Sequence, residues 1–386
     1  MDFFSDEMRR DPFQVYARMR AESPVFRCPP PFDAWMVFDY VGVRRVLSDH
    51  EAFSSAVPAP RNWFVFSDPP GHTKLRALIA KAFTPRVIAG LEGRVRELSR
   101  ELLDGVVGRG EMDLAADYAV PLPMRVIAGM IGIPAGDWAR FKGWSDTILR
   151  LSYTRSGGEE AEGALADFIE VTGEMSEYLK QMTARLRAAP ADDLLSRLIA
   201  AEVDGERLTH EEILGFFQLL LVGGQETTTN LIDNAILCLL EQPEQLALLR
   251  GRMELLPSAI EEVLRYRSPF QWIMRTPREP VELGGQMMRP GELVLAMVGS
   301  ANRDSSVFAE PDRFDITRGA NPHLAFGHGI HFCMGAPLSR LEARVALTEL
   351  LTRLEGLELV HPGEWEPRRA LHVHGPTRLG VRFAAS

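Results

Sequence analysis

Apolar side chains recur every three or four residues along most of this 386-residue chain, a spacing that predicts helices. The segment 84–108 begins with Thr84, a favourable N-cap residue, and with Pro85, which suits the first helical turn. Its apolar face is formed by Val87, Leu91, Val95, Leu98 and Leu102. The same spacing predicts helices over 124–134 and 159–189, so helices dominate the first half of the chain.

The clearest single helix is predicted to begin after Leu208 and to end before Pro243. Thr209 and Glu212 have the spacing of a capping box, and Leu208 with Ile213 can form a hydrophobic staple. Pro243 cannot continue a helix. A helix of about 30 residues is about 45 Å long. Such a helix crosses a whole domain.

The middle of this predicted helix is unusual. Gly223 and Gly224 each cost about 1 kcal/mol relative to alanine in a helix. Polar and β-branched residues follow them over 225–230, directly after an apolar run. One interpretation is a solvent-exposed kink between two apolar halves. The other is a widened helical groove with an acid and a hydroxyl facing a reactive centre.

Alternating apolar positions predict a few short strands outside the helices. One covers 34–40. The segment 281–298 is predicted to form a hairpin with turns at Gly284-Gly285 and Pro290-Gly291, and 371–384 a second hairpin. There is no repeat, no GxGxxG after a strand and no P-loop, so nucleotide binding has no support. The predicted fold class is mainly α with small peripheral sheets, in a single domain over 1–386.

Composition narrows the class of protein. The net charge of −10 disfavours nucleic acid as a general partner, because phosphate binding needs clustered Lys and Arg. The three cysteines, Cys28, Cys238 and Cys333, are odd in number and far apart, which favours a reducing cytoplasm over a disulfide framework. The N-terminus shows no apolar signal region, and the most apolar segment, 213–224, is too short to span a bilayer. We therefore expect a cytoplasmic protein without a membrane anchor.

A lone cysteine lies in a glycine-rich loop, FGHGIHFCMG, over 326–335. A nucleophilic Cys333 would need a base, and His331 lies two residues away. A zinc site would need more ligands at short spacing. A single thiolate can instead ligate haem iron, provided that nearby N–H groups and a following helix stabilise the ionised sulfur. The periodic segment 336–356 supplies such a helix, glycine allows close approach to a flat macrocycle, and Phe326 can cover the sulfur.

Glu262 and Arg265 lie three residues apart, on one face of another predicted helix. Most such pairs are exposed and contribute little on their own. Arg313 precedes the cysteine loop and could complete a buried network with them.

Taken together, these motifs resemble those of the cytochrome P450 superfamily. Phe326, Gly329, Cys333 and Gly335 fit the haem-binding signature FxxGxxxCxG. The segment 223–227, GGQET, resembles the oxygen-activating helix motif, Glu262 and Arg265 resemble ExxR, and 68–85 resembles an early helix of bacterial members. The motifs follow the family's order, and the resemblance extends from about Asp11 to Phe383. Small departures from the family pattern are Gln225, Met334 and Ser339.

The resemblance implies a triangular, mostly helical prism with small sheets, and haem b between the long helix and the helix after Cys333. Cys333 would be the proximal thiolate ligand. On the distal side, Thr227 would hydrogen-bond bound dioxygen and Glu226 would assist proton delivery. The alternative for Thr227 is a hydroxyl that bonds to a carbonyl one turn earlier in the helix.

The resemblance also implies roles for other residues. The haem propionates would be held by His72, Arg76, Arg275 and His331. Further haem-pocket residues would be Phe326, Gly329, Gly335, Gly223 and Gly224. The structural triad supporting the pocket would be Glu262, Arg265 and Arg313. Substrate contacts would come from the variable loop 57–66 and from the pocket wall, with ordinary core packing as the alternative for each: Trp63, Phe64, Val65, Leu220, Gly223, Gln271, Trp272 and Ile273.

The function implied by the resemblance is that of a bacterial monooxygenase of secondary metabolism. It would insert one atom of O2 into a lipophilic substrate of fatty acid, terpenoid, steroid or polyketide type. Electrons would come from a separate ferredoxin and an NAD(P)H-dependent ferredoxin reductase, with Arg340 and Arg344 as candidate docking contacts. Alternatives are a haem-binding gas sensor or carrier without turnover and a peroxide-driven peroxygenase. The pair Glu226 and Thr227 disfavours both, because neither needs this proton delivery.

Overall fold

The structure is a computed structural model that describes residues 5–30, 32–57, 63–153 and 159–385. Its α-helices are α1 Asp6–Arg10, α2 Phe13–Glu22, α3 Tyr40–Ser48, α4 Gly71–Ala82, α5 Pro85–Gly90, α6 Glu92–Asp104, α7 Pro121–Ile131, α8 Trp138–Tyr153, α9 Glu159–Ala188, α10 Leu194–Ala200, α11 His210–Leu219, α12 Glu226–Glu241, α13 Pro243–Gly251, α14 Leu256–Tyr266, α15 Val298–Ala301 and α16 Ala336–Arg353. In these described ranges, none of the helices combines the length and apolar character needed to cross a bilayer.

The strands are short. They are β1 Val25–Cys28, β2 Ala34–Val37, β3 Phe53–Ser54, β4 Glu111–Asp113, β5 Glu202–Val203, β6 Glu206–Arg207, β7 Ile273–Pro277, β8 Val281–Leu283, β9 Gln286–Met288, β10 Leu293–Ala296, β11 Leu354–Leu359, β12 Glu366–Pro367, β13 Pro376–Arg378 and β14 Gly380–Ala385. They form a five-stranded sheet in the order β1-β2-β10-β7-β3, a three-stranded sheet β11-β14-β4, and the pairs β12-β13, β5-β6 and β8-β9.

The chain forms two compact units. The first comprises Met1–Val57, Val95–Leu122 and Thr227–Ser386, and the second comprises Pro58–Arg94 and Pro123–Glu226. The single domain expected from sequence therefore stays a prediction.

The core of the first unit lies on both faces of the five-stranded sheet. Along β10, Val294 and Ala296 pack with α3 and α15, whereas Leu295 packs on the opposite face with α2. This alternation is the two-residue period of a strand that is covered on both sides. The sheet thus serves as a rigid frame on which the loops of this unit are mounted.

The second unit is a helical assembly. Helix α9 packs against α8, α10 and α11. Aromatic side chains fill these contacts: Phe141 of α8 meets Phe217 of α11 with ring centroids 5.5 Å apart, and Trp144 meets Tyr178 of α9 at 5.4 Å. Edge-to-face pairs of this kind add to the burial energy of the rings.

Several helix predictions need correction. The segment 84–108 is divided into α5 and α6 at Leu91, where glycines at 90 and 93 weaken the helix. The long helix is also divided: α11 is followed by a π-helical turn over Leu220–Gly224 and then by α12. Its start is confirmed, because the side chain of Thr209 accepts from the Glu212 N–H and the Glu212 side chain accepts from the Thr209 N–H.

Two strand predictions are half right. The turn at Gly284 and Gly285 joins β8 to β9, and both glycines have positive φ, as a two-residue hairpin requires. After that hairpin, however, β10 pairs in parallel with β2 and antiparallel with β7. The C-terminal segment is no hairpin either, because β13 pairs with β12 and β14 pairs with β11 and β4. Local alternation indicates a strand and its faces, but it does not identify the partner strand.

Candidate functional site

The cysteine loop is closed by its own backbone. The N–H of Cys333 donates to the carbonyl of Phe326 at 2.9 Å. Gly329 has φ +72°, and a Cβ there would lie 2.9 Å from the Cα of Ser48 and 3.0 Å from the carbonyl oxygen of Leu47. Only glycine fits a left-handed backbone pressed this closely against α3. The loop therefore has a fixed path that leaves the side chain of Cys333 exposed.

The surroundings of the Cys333 sulfur favour a thiolate. Helix α16 begins at Ala336, and its first turn presents N–H groups without partners inside the helix. The positive end of the helix lowers the energy of a nearby anion. A Cβ added to Gly335 would lie 3.7 Å from the sulfur, so the backbone here runs close beside it.

The two other cysteines are unsuited to this role. Cys28 and Cys238 are buried. Burial raises the pKa of the Cys28 thiol, and it raises the pKa of Cys238 to about 11. Both behave as small apolar core residues. An exposed sulfur at a helix N-terminus, flanked by glycines, fits the iron of a haem, so Cys333 is the residue that would hold that cofactor.

A charged cluster lies beside the loop. The Nε and Nη2 groups of Arg340 donate to Glu261 at 2.6 and 2.7 Å, and the Arg340 guanidinium lies over the Phe326 ring at 4.5 Å. His323 bonds to the same carboxylate at 3.0 Å. Burial alone would raise the pKa of Glu261, but these two hydrogen bonds outweigh it and lower the pKa to about 2. Arg340 is therefore a neutralised, positioned group, and not the free docking charge that its spacing predicted.

The residues predicted to hold propionates are present in both units. In the second unit, His72 is buried in α4 and stacks on Phe64 at 6.1 Å, and Arg76 lies one helical turn further on. In the first unit, Arg275 is buried in β7 and His331 lies in the turn before Cys333. The side-chain types fit two carboxylates, which accept hydrogen bonds from guanidinium and imidazole donors.

The predicted oxygen-activating segment coincides with a change of helical type. The π-helical turn Leu220–Gly224 widens the helix, as the second interpretation of this segment required, and π-turns are frequent at functional sites. Glu226 is buried in the first turn of α12, where the helix dipole favours its carboxylate, and Thr227 follows it half-buried. The departure Gln225 is buried, and its Oε1 accepts from the Ser145 hydroxyl at 2.7 Å.

The two glycines of this segment differ in their surroundings. A Cβ on Gly224 would lie 2.6 Å from Cδ1 of Ile127 in α7, so close helix packing explains this glycine. A Cβ on Gly223 would meet nothing nearer than Leu219 at 3.8 Å. A role for Gly223 in the haem pocket or in substrate contact remains a prediction.

The predicted structural triad contains one wrong residue. Glu262 and Arg265 are fully buried and joined by two hydrogen bonds of 2.8 Å. The third charged side chain is Arg318, whose Nε lies 3.0 Å from Glu262 Oε2. Arg313 contributes its backbone carbonyl, 3.0 Å from Arg265 Nη2, while its guanidinium is exposed and pairs with Glu310. Neither the family resemblance nor the order of residues before the cysteine loop distinguishes two arginines five residues apart in an irregular segment.

The predicted substrate contacts differ in their surroundings. Trp63 and Phe64 are buried in the second unit, while Val65 and Leu220 are half-buried; the loop residues 58–62 lie outside the described structure. Gln271 instead donates to the Ser268 carbonyl at 2.7 Å and packs on Gly299. Trp272 donates to the Leu371 carbonyl at 3.1 Å and joins the core beneath the sheet. The core-packing alternative therefore holds for these two, and Ile273 lies against Gly327 beside the cysteine loop.

A mainly helical chain with one exposed thiol at a helix N-terminus, preceded in sequence by a buried acid–arginine network, has the features of a haem-thiolate protein. The family model of cytochrome P450 matches residues 158–369, and the chain belongs to the cytochrome P450 family. It is 42% identical over 392 residues to the cytochrome P450 monooxygenase PikC of Streptomyces venezuelae, covering 97% of this chain and 91% of that protein.

Solved structures agree. Cytochrome P450 CYP109Q5 from Chondromyces apiculatus has a TM-score of 0.92 and 40% identity, covering 100% of this chain and 98% of that chain. CYP109E1 from Bacillus megaterium in complex with testosterone has a TM-score of 0.89 and 39% identity, covering 96% and 99%. These comparisons confirm the mainly α P450 fold, haem b as cofactor and monooxygenase activity. Membership of the family implies O2, an organic substrate and redox partner proteins.

Proposed function

We propose that this monooxygenase hydroxylates a C–H bond, or epoxidises an alkene, in a lipophilic substrate of steroid-like size. Its electrons come from a separate ferredoxin and an NAD(P)H-dependent ferredoxin reductase. The observation that carries the substrate class is the similarity over almost the whole chain to a structure solved with testosterone. An apolar lining would fit this class, because lipophilic ligands are held mainly by aromatic and aliphatic side chains.

That lining is proposed to be the aromatic group of the second unit. Phe64 packs on Phe216 with ring centroids 6.3 Å apart, and Trp63 stacks on Phe66 at 6.0 Å. Such rings offer large, rigid contact surfaces with few rotatable bonds. They suit a flat polycyclic substrate better than a small polar one.

The protein's own residues prepare the chemistry. The bound haem supplies oxygen activation and electron transfer. With haem bound, Cys333 would hold the iron as a thiolate, stabilised by the start of α16, and Phe326 would limit access of water to the sulfur. Thr227 would hydrogen-bond bound dioxygen through its hydroxyl, and Glu226 would assist proton delivery to that hydroxyl.

We propose that the electron donor docks beside the cysteine loop. Phe332 is 42% exposed next to Cys333, and Arg44 of α3 is exposed nearby, with its Nε 3.3 Å from His328 Nε2. An acidic ferredoxin would meet an apolar contact with a positive rim. Reversing the charge with Arg44→Glu is expected to raise the ferredoxin concentration needed for half-maximal turnover, and unchanged kinetics would contradict this surface.

The proposal is tested by a ligand screen on the haem-loaded protein. Steroids, fatty acids, terpenoids and macrolides are titrated while the low-spin to high-spin shift of the haem is followed. We expect steroids to give the tightest binding, and to raise NAD(P)H consumption together with product when a ferredoxin and its reductase are added.

Other outcomes would overturn specific parts of the proposal. Binding confined to acyl chains would contradict the steroid class. A lack of substrate-dependent NAD(P)H consumption across the panel would favour a sensor or carrier. Turnover with peroxide as fast as with the redox proteins would favour a peroxygenase.

A further inference from the structure

A buried amide links three elements of the second unit. The indole Nε1 of Trp63 donates to Oε1 of Gln218 at 3.1 Å, and Nε2 of Gln218 donates to Oγ1 of Thr172 at 2.9 Å. Trp63 precedes a 3₁₀ turn, Gln218 lies in α11 and Thr172 in the middle of α9. We call these three residues the Gln218 latch.

Gln218 is a buried polar residue among apolar neighbours in α11. Its side chain is 3% exposed and is flanked by Phe216, Phe217 and Leu219. Burying an amide is costly unless hydrogen bonds satisfy it, and a leucine would fit the apolar pattern at no such cost. We therefore attribute the polar side chain at this position to its two hydrogen bonds, which fix the positions of Trp63 and Thr172.

The position of Trp63 in turn fixes the aromatic segment 63–67. Phe66 stacks on Trp63 with an interplanar angle of 10°, and its N–H donates to the Trp63 carbonyl at 2.9 Å. The Ser67 N–H donates to the Phe64 carbonyl at 3.1 Å, and Phe64 stacks on His72 of α4. The two contacts of Phe66 depend on where Trp63 is held, and Phe64 and Ser67 lie in the same short turn.

We propose that Gln218 is a positioning residue that selects substrates by holding the aromatic segment 63–67 against α9 and α11. This inference rests on the proposed function, in which that segment lines the substrate site. With both hydrogen bonds formed, the segment resists displacement, and bulky substrates enter and leave slowly. Without them, the segment opens more often and discriminates less between substrates of different size.

The test uses three variants of the haem-loaded protein. Gln218→Leu keeps the side-chain volume and removes both hydrogen bonds. Trp63→Phe removes the indole donor, and Thr172→Val removes the other partner while keeping the shape. Gln181→Leu, on the exposed surface of α9, is the matched control, because its amide bonds only to Glu177 among the described contacts.

Two measurements are made on each variant. Hydrogen exchange of the Phe66 and Ser67 amides reports opening of the segment without any turnover. We expect exchange to speed up about tenfold in Gln218→Leu, because the loss of one hydrogen bond's net free energy corresponds to that factor. The dissociation rate of a bound steroid, followed by the haem spin shift, is expected to rise in parallel, with kcat/KM changed and kcat retained.

A double-mutant cycle separates a direct link from general loosening. If Trp63 and Gln218 act through their hydrogen bond, Trp63→Phe in the Gln218→Leu background adds little further exchange. Additive effects, or unchanged exchange in both single variants, would overturn the proposal. Haem loading and thermal unfolding show whether Gln218→Leu folds. If it does not, the exchange rates of Trp63→Phe and Thr172→Val test the proposal.

Failure of the proposed function has a different signature. In that case the wild-type protein itself gives no spin shift with any steroid, before variants are compared. Faster exchange in Gln218→Leu without any change in ligand dissociation would overturn the role in substrate selection.

Discussion

Arg318 makes the second ion pair to Glu262, whereas the family resemblance implies Arg313 at this position. Glu262 has no solvent exposure and also accepts from the Asp315 N–H at 2.9 Å. A buried carboxylate needs several donors, because each unsatisfied lone pair costs desolvation energy. The identity of its second arginine is therefore decided by burial, since Arg318 is 12% exposed and Arg313 is 57% exposed at the side chain.

This difference gives a paired prediction. Arg318→Gln removes a buried partner of Glu262 and is expected to lower the free energy of unfolding by about 3 kcal/mol. Arg313→Gln removes an exposed pair with Glu310 and is expected to cost less than about 1 kcal/mol. Urea unfolding of both variants, followed by fluorescence, measures the two values. Equal losses would mean that the exposed guanidinium belongs to the network after all.

Thr227 gives a second residue-scale prediction. Thr227→Ala removes the hydroxyl that we propose hydrogen-bonds dioxygen, so electrons should leak to hydrogen peroxide. We expect product formed per NAD(P)H to fall about tenfold or more, as expected for loss of a proton-transfer group. Thr228→Val is the control, because its hydroxyl bonds to Ser339 at 3.2 Å within the protein. Full coupling in Thr227→Ala would contradict the proposed role.

At the scale of elements, the junction of α11 and α12 determines whether its two glycines, Gly223 and Gly224, can be replaced by larger residues. Its π-helical turn contains Gly223 and Gly224, which differ in the space around them. Gly224 allows α7 to approach, whereas packing within the second unit does not require Gly223 to be glycine. Substitutions at these two glycines can therefore distinguish an effect on helix packing, at Gly224, from an effect on cofactor or substrate binding, at Gly223.

Alanine at each position is expected to act in opposite directions. Gly224→Ala brings Cβ against buried Ile127 and should destabilise the protein by about 1–3 kcal/mol. Gly223→Ala meets only Leu219 at an ordinary contact distance of 3.8 Å and should stabilise the protein by up to about 1 kcal/mol through helix propensity. Thermal unfolding measures both effects. Reduced haem content in a stable Gly223→Ala variant would indicate that this glycine is needed by the haem pocket.

The elements that could be predicted from sequence are those encoded locally. The capping box of α11, the helix after Cys333 and the turn at Gly284 each depend on residues within one or two turns of chain. The placement of β10 beside β2 depends on a pairing between segments some 260 positions apart, which no local pattern specifies. The site is limited in the same respect. The local motif around Cys333 predicts its role, whereas the contacts of Glu261 with Arg340 and of Gln218 with Trp63 join residues far apart in sequence.

At the scale of the whole molecule, one buried acid should make stability depend on pH. Asp233 of α12 is fully buried, and neither of its carboxylate oxygens has a hydrogen-bond partner among the described residues. Burial raises the pKa of Asp233 to about 8, against a lowering by Arg368 and a further rise from Asp113. The folded state therefore binds this proton more tightly than the unfolded state does, and stability falls as pH rises from about 4 to about 8.

Asp233→Asn is expected to remove this dependence. The variant keeps the shape of the protonated carboxyl group and cannot ionise, so its melting temperature should exceed that of the wild type by several degrees at pH 9 and converge with it near pH 4. Thermal unfolding across this range provides the measurement. Asp204→Asn, at an exposed turn, is the control. Parallel pH profiles for wild type and Asp233→Asn would show that the carboxyl group is not protonated in the folded protein.

The unequal exposure of the three cysteines has a practical consequence. Cys28 and Cys238 lie in the core, and Cys333 is exposed. A bulky thiol reagent should therefore modify one sulfur per native molecule quickly, and none once iron occupies that sulfur. Counting fast-reacting thiols in a purified sample would thus give the fraction of molecules that lack the cofactor, by a colour reaction that is independent of the haem spectrum.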